Sequence, residues 1–183
     1  MAGTIFPDGA DAASYRGLTS LYQFVNADGS LTRFNCGQAA ACTLLSHFGA
    51  IGGDACALMA AVEKANPPDN LFGYFGTSRR RVERICREHG IELDELTGED
   101  ELRAALAGNR PVAVIVELPG PVVWRWRAPA GHWMVAYGFD ERQLFLSNYH
   151  APAMLWDEFR RAWNGIVPRV ISMRNTGLVA RRP

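Results

Sequence analysis

The chain has 183 residues, 48% of them hydrophobic and 21% charged, and its 19 basic side chains balance 19 acidic ones. A chain of this size and apolar content buries a core of its own, which excludes disorder over most of its length and needs no metal or disulfide staple. The zero net charge lacks the basic excess of a nucleic-acid or anionic-membrane surface, so no nucleic-acid partner is expected. No stretch reaches the roughly 18 apolar residues of a membrane helix, and the N-terminus has neither the basic nor the apolar region of a secretion signal. The expectation is a cytoplasmic protein without membrane insertion. Cys36, Cys42, Cys56 and Cys86 fall in no Cys-x-x-Cys or zinc-ligand spacing, so neither a metal nor another cofactor is expected.

Residues 1–183 read as one domain, with 1–15 a loose arm rich in Gly, Ala and Asp, and Gly177–Pro183 a frayed tail. The spacing of Ala39, Ala40, Thr43, Leu44 and His47 predicts a helix over Asn35–Phe48, stopped by Gly49. Asp54 is placed to cap a second helix through about Ala65, ended by Asn66-Pro67-Pro68-Asp69. Ser78 opens a third, with Val82, Ile85, Cys86 and His89 on one face and Gly90 past its end. Its Arg79, Arg80, Arg81, Arg84 and Arg87 read as a solvated face offset by the acidic stretch Glu92–Glu101. Thr97-Gly98-Glu99-Asp100 resembles a capping box and starts a helix through Ala107.

The period then changes. Pro111–Leu118 is a β-branched run bounded by Gly108-Asn109 and Pro119-Gly120, the pattern of a buried strand. His132–Gly138 and Gln143–Asn148 read as a hairpin around Asp140-Glu141-Arg142. Trp156, Phe159 and Trp163 mark an amphipathic helix, and Ile166–Met173 reads as a last strand. Helices followed by an antiparallel sheet give an α+β class.

Cys36 falls at the first turn of the first helix, where N–H groups and the helix dipole favour a thiolate and make it a candidate nucleophile. Gly37 lets a substrate carbonyl approach the backbone, and the Cys36 amide is a donor for an oxyanion. Cys42, Cys56 and Cys86 lie mid-helix and read as core. A three-residue hairpin turn would set His132 opposite Asn148, with Met134, Ala136, Leu144 and Leu146 on one apolar face. An amide facing an imidazole fixes its tautomer and aims its other nitrogen at the thiolate. Gly131 precedes this histidine and Trp133 follows it, and Trp124 and Trp126 share a strand face upstream; Gly37, Gly131, Trp126 and Trp133 are the candidate substrate-binding residues.

Asn35-Cys36-Gly37-Gln38-Ala39-Ala40 at a helix start, Gly108-Asn109-Arg110-Pro111-Val112 leading a strand, Gly131-His132 through Asp140, and Ser147-Asn148 together resemble the papain-like cysteine peptidases. Within that superfamily the likeness is to the bacteriocin-processing, double-glycine leader peptidases, and it runs from about Tyr22 to Trp163. The resemblance implies a helical half carrying the nucleophile, packed on an antiparallel sheet that carries His and Asn. It also implies hydrolysis of a peptide or small amide through a thioacyl intermediate.

Three features depart from the pattern. Cys36 and His132 are 132 − 36 = 96 residues apart, short of the spacing in papain and cathepsins. The third residue is Asn148 where leader peptidases usually carry Asp. The family's oxyanion Gln would fall at Ser30; Gln23 is the best substitute, Asn26 a weaker one, and Gln38 is expected to point elsewhere from the helix. The same triad also suits an acyl- or peptidyl-transferase, and the fold suits a peptide-binding module or an exported effector; sequence does not separate these.

Overall fold

The computed structural model describes residues 35–51, 55–69, 76–123, 126–147 and 153–181. Three helices come first: α1 (Cys36–His47), α2 (Ala55–Ala65) and α3 (Arg79–Glu88). They are followed by β1 (Leu93–Thr97), α4 (Gly98–Ala107), β2 (Val112–Val123), β3 (Trp126–Phe139), β4 (Gln143–Ser147) and β5 (Ala153–Leu155). The described chain closes with α5 (Trp156–Trp163), α6 (Ile166–Val170) and β6 (Thr176–Ala180). The strands form one antiparallel sheet in the order β1-β6-β2-β3-β4-β5, so the class is α+β as the period change implies.

The two long strands β2 and β3 pair residue for residue, Val112 with Ala136 through Val116 with His132. Side chains alternate across a strand, and here both faces are apolar. Val112, Val114, Val116, Met134 and Ala136 pack under α4 and α5, against Leu102, Leu106, Phe159 and Trp163. Ala113, Ile115, Trp133 and Val135 meet α1, α2 and α3 through Leu44, Met59, Val62, Val82 and Ile85. This second face swallows α1 almost whole: every residue from Cys36 to Leu45 is buried. Gly49, at φ +67°, stops α1 in a conformation that costs glycine little.

Part of the basic run on α3 is paired in place. Arg79 pairs with Glu83 and Glu95, Arg81 with Asp69, and Arg84 donates to Asn66. Among the described residues no helix is long and apolar enough to cross a membrane.

Four expectations are corrected. The stretch Ile166–Met173 is not a strand: residues 166–170 are α6, started by Gly165 and tolerating Pro168 in its first turn. Its β-branched side chains mislead because they face water, Ile166 and Val170 being well exposed. The last strand is β6 instead, formed by residues read as the start of a frayed tail. It inserts between β1 and β2, is buried along its whole length, and is followed by Arg181, whose N–H bonds the Glu92 carbonyl.

The hairpin register also differs. Asp140 accepts the N–H groups of Arg142 and Gln143, widening the loop so that Phe139 pairs with Leu144. A bulge at Tyr137 then sets Ala136 opposite Leu146 and Val135 opposite Ser147, two residues away from the expected pairing. An even shift preserves the face, so Met134, Ala136, Leu144 and Leu146 still share one core. Finally, the capping box at α4 is half made: the Thr97 side chain caps nothing, and Glu101 rather than Asp100 reaches back to the Thr97 N–H, at 2.6 Å.

Gly177 sits where β6 passes β2, and a Cβ there would meet Val112 Cγ1 at 2.5 Å and Leu96 Cδ1 at 3.2 Å. Both neighbours lie in a packed core, so Gly177→Ala should cost roughly 1–3 kcal/mol through overpacking. Urea titration of the variant against wild type checks this; an unchanged midpoint would mean that β6 does not bind there in solution.

Candidate active site

The site is built where α1 begins. The Asn35 carbonyl takes the Ala39 N–H at 3.0 Å, which opens the helix, but the Asn35 side chain makes no capping bond. Its Nδ2 donates instead to Glu63 Oε2 on α2 at 2.9 Å, and its Oδ1, fully buried, has no partner among the described residues. The N–H groups of Cys36 and Gly37 therefore stay uncapped by Asn35, and both hydrogen-bond the Cys36 sulfur. A third backbone hydrogen bond reaches the sulfur from Trp133 on β3, the residue after His132.

This contact brings together the two segments singled out in the sequence. Cys36 is 5% exposed at the start of α1, and His132 is half-buried in β3 opposite Val116. Gly131, before it, faces Glu117, and a Cβ there would press to 2.8 Å on Val167 of α6. Asn148 and Gln23 lie outside the described residues. Trp126 begins β3, six residues from His132, which at the rise of a strand puts its backbone roughly 20 Å along the strand from that residue.

Trp133 differs from its expected role. Its indole does not line an open wall but is buried, its Nε1–H donating to the Thr77 carbonyl at 2.7 Å. What it offers the site is its backbone. Gln38, one turn into α1, points into the core: its Nε2 donates to the Asn66 carbonyl at 2.8 Å, and its Oε1 accepts the Thr77 hydroxyl at 2.6 Å. Gly37 has a packing reason besides substrate access, since a Cβ there would lie 2.6 Å from the Thr77 methyl.

Thr77 was not legible in the sequence. It stands in a short non-helical segment, pinned on both sides by Asp69: the Asp69 N–H bonds the Gly76 carbonyl, and the Ser78 N–H bonds Asp69 Oδ2. Burial pushes the Asp69 carboxyl up, but hydrogen bonds from Arg81 and Ser78 outweigh it and hold the group at about 2.

The electrostatics of Cys36 correct the expected lowering. Burial pushes the thiol up, and the backbone hydrogen bonds from Trp133, Gly37 and Cys36 itself offset this only in part, so the group stands above its ordinary value. Cys42 and Cys86 are pushed up to about 12, burial being the main cause, with no N–H donors in compensation. Cys36 is thus the described cysteine whose burial is opposed by backbone N–H groups.

No protein-family model matches the chain, and no curated protein sequence matches it. Solved structures do. A protein described as a C39-like peptidase from Bacillus anthracis superposes with a TM-score of 0.60 at 14% identity, over 90% of this chain and 96% of that one. The peptidase domain of Streptococcus ComA, a bi-functional ABC transporter involved in a quorum-sensing pathway, superposes with a TM-score of 0.57 at 17% identity, over 88% of this chain and 99% of that one. The chain has the fold of the papain-like, C39-type peptidases.

Because the Cys36 pKa is raised, its thiolate fraction is small at neutral pH and grows with rising pH. Iodoacetamide labelling of Cys36 should therefore still be climbing at pH 9, and should outpace labelling of Cys42 and Cys86 at every pH. Peptide mapping by mass spectrometry reads this directly; labelling led by Cys42 or Cys86 would count against the nucleophile assignment.

Proposed function

We propose that residues 1–183 form one papain-like catalytic domain that hydrolyses a peptide or small amide in the cytoplasm, with no cofactor. The observation that carries this reading is the Cys36 sulfur held at the start of α1 against the backbone of β3 beside His132. The shared fold supports it.

In the proposed cycle His132 takes the Cys36 proton as the sulfur attacks the amide carbonyl carbon. The resting thiol is protonated, so proton removal accompanies attack and the imidazole acts as a general base. The carbonyl oxygen becomes an oxyanion beside the Cys36 N–H, with Gln23 as the proposed second donor. Collapse breaks the C–N bond, the imidazolium gives its proton to the leaving amine, and a thioester remains. Water then attacks the thioester and leaves a proton on His132. Collapse expels the sulfur, which recovers that proton, and the acid is released. Asn148 is assigned the part of orienting the imidazole. Gly37 and Gly131 leave room for substrate backbone; Trp133 contributes through its N–H, and Trp126 through a more remote contact with an extended peptide.

A peptide ending in Gly-Gly-aminomethylcoumarin, chosen because the resemblance is to double-glycine peptidases, is the first probe. Wild type should release the fluorophore and Cys36→Ala should release none. His132→Ala should be slower by roughly 10²–10⁴-fold, the usual worth of a general base, with folding checked by circular dichroism. Turnover that survives Cys36→Ala would overturn the mechanism. A wild-type protein that binds such peptides without cleaving them would move the peptide-binding reading ahead of the peptidase.

A further inference from the structure

We propose that Thr77 is a positioning residue for the Cys36 nucleophile; the inference deepens the peptidase reading above and rests on it. One residue makes three separate contacts with the two segments that must meet. Its methyl and Cβ fill the space left by the missing side chain of Gly37. Its hydroxyl donates to Gln38 Oε1 at 2.6 Å, and its carbonyl accepts the Trp133 indole N–H at 2.7 Å. Gly37 and Gln38 are the two residues after the nucleophile, and Trp133 is the residue after His132. Thr77 therefore sets the spacing between the first turn of α1 and β3.

The clasp is anchored at its far ends. Gln38 Nε2 donates to the Asn66 carbonyl, while the Asn66 side chain accepts from Arg84 Nε at 2.9 Å and donates to Glu88 Oε2 at 3.0 Å. Both ends of the Gln38 amide are thus used, and its orientation is fixed by a hydroxyl on one side and a carbonyl on the other. The Thr77 backbone is itself held by the bonds of Asp69 to Gly76 and Ser78. Asn66, Gln38 and Thr77 are all buried, which leaves a displaced Gln38 no water to turn to.

The consequence lies at the sulfur. Two of its three backbone hydrogen bonds come from the first turn of α1 itself and the third from Trp133 on β3, so it is the Trp133 contact that depends on the distance Thr77 spans. Removing the hydroxyl alone leaves Gln38 Oε1 buried without its donor. The first turn must then shift to satisfy it, and the sulfur moves off the Trp133 amide.

The test compares Thr77→Val with Thr77→Ser in the full-length protein. Valine keeps the shape against Gly37 and loses the hydroxyl, whereas serine keeps the hydroxyl. Iodoacetamide labelling of Cys36 is followed from pH 6 to pH 10, and cleavage of the Gly-Gly coumarin peptide is measured alongside. A loss of one pKa unit of thiolate stabilisation is about tenfold in labelling rate below the midpoint. Thr77→Val should label about tenfold more slowly at each pH and lose kcat rather than KM, while Thr77→Ser stays within about twofold of wild type.

A residue that merely fills the core would lower the melting temperature and leave the labelling profile alone. That result overturns the proposal, as does an equal loss in the serine variant. Should Thr77→Val not fold, Trp133→Phe breaks the other link by removing the indole N–H, with the same loss expected and an unchanged profile again overturning the proposal. Wild-type Cys36 that labels no faster than Cys42 and Cys86 would sink the peptidase reading and this inference with it. Selective wild-type labelling with an unaffected valine variant would sink the inference alone.

Discussion

Val112, Val114 and Val116 feed one core while Ala113 and Ile115 feed the other, and Met134 and Ala136 against Trp133 and Val135 repeat the division on β3. A sheet whose central pair is apolar on both faces must be covered on both, and the arrangement of helices follows from that demand. The α1–α3 layer takes one side, and α4 with α5 the other. The β6 strand completes the arrangement, because β2 would otherwise offer an unpaired edge along Val112–Val114. Burial on both faces also explains the composition of α1, a helix with no solvent side over most of its length.

That burial has a chemical consequence. A helix sunk into the core brings its N-terminus in with it, and its first-turn N–H groups then need partners that are not water. Asn35, the natural capping residue, is turned to Glu63 instead, so the helix satisfies two of these donors on the sulfur of its own first residue. Polar side chains one step further in, Gln38 and Thr77, pair with each other and with main-chain groups. Buried polar groups that are fully paired fix one geometry where an apolar cluster would tolerate several. The polar part of this core thus lies next to Cys36, while around Leu44, Ile85 and Val135 the same layer is apolar.

What the sequence made legible follows the range of the forces involved. The span of α1, the face of α3 and the aromatic stripe of α5 are local periodicities, and each forms where the spacing places it. The Cys36 and His132 segments were legible because short motifs carry them. The exchange of α6 for a strand was not avoidable from local pattern: Ile166, Val167, Val170 and Ile171 have high strand propensity, yet Ile166, Val170 and Ile171 face water from a short helix that packs on β2 and β3. Conversely Thr176–Ala180 offers a single apolar pair, Leu178 and Val179, near the end of the chain. Its strand exists because β1 and β2 leave a gap between them. The hairpin register failed for a local reason of another kind, since a side-chain acceptor at Asp140 and a bulge at Tyr137 each move the ladder without leaving a hydrophobic signature. Thr77 was hidden for the plainest reason: its partners are 39 and 56 residues away in the chain, and nothing in a threonine between a glycine and a serine marks it.

A buried cysteine and a reactive one make opposite demands, and the site answers both. Desolvation alone would leave Cys36 as inert as Cys42 and Cys86, which the same core holds at about 12. What sets Cys36 apart is the backbone N–H groups that oppose its burial, those of Trp133, Gly37 and Cys36 itself, where Cys42 and Cys86 have none. Hydrogen bonds in a water-poor setting are electrostatically stronger than the same bonds in water. Burial therefore raises the cost of the thiolate and the value of its donors together. In the proposed mechanism such a sulfur gives up its proton only to a base within reach, so that reactivity would depend on the placement of β3, and hence of His132.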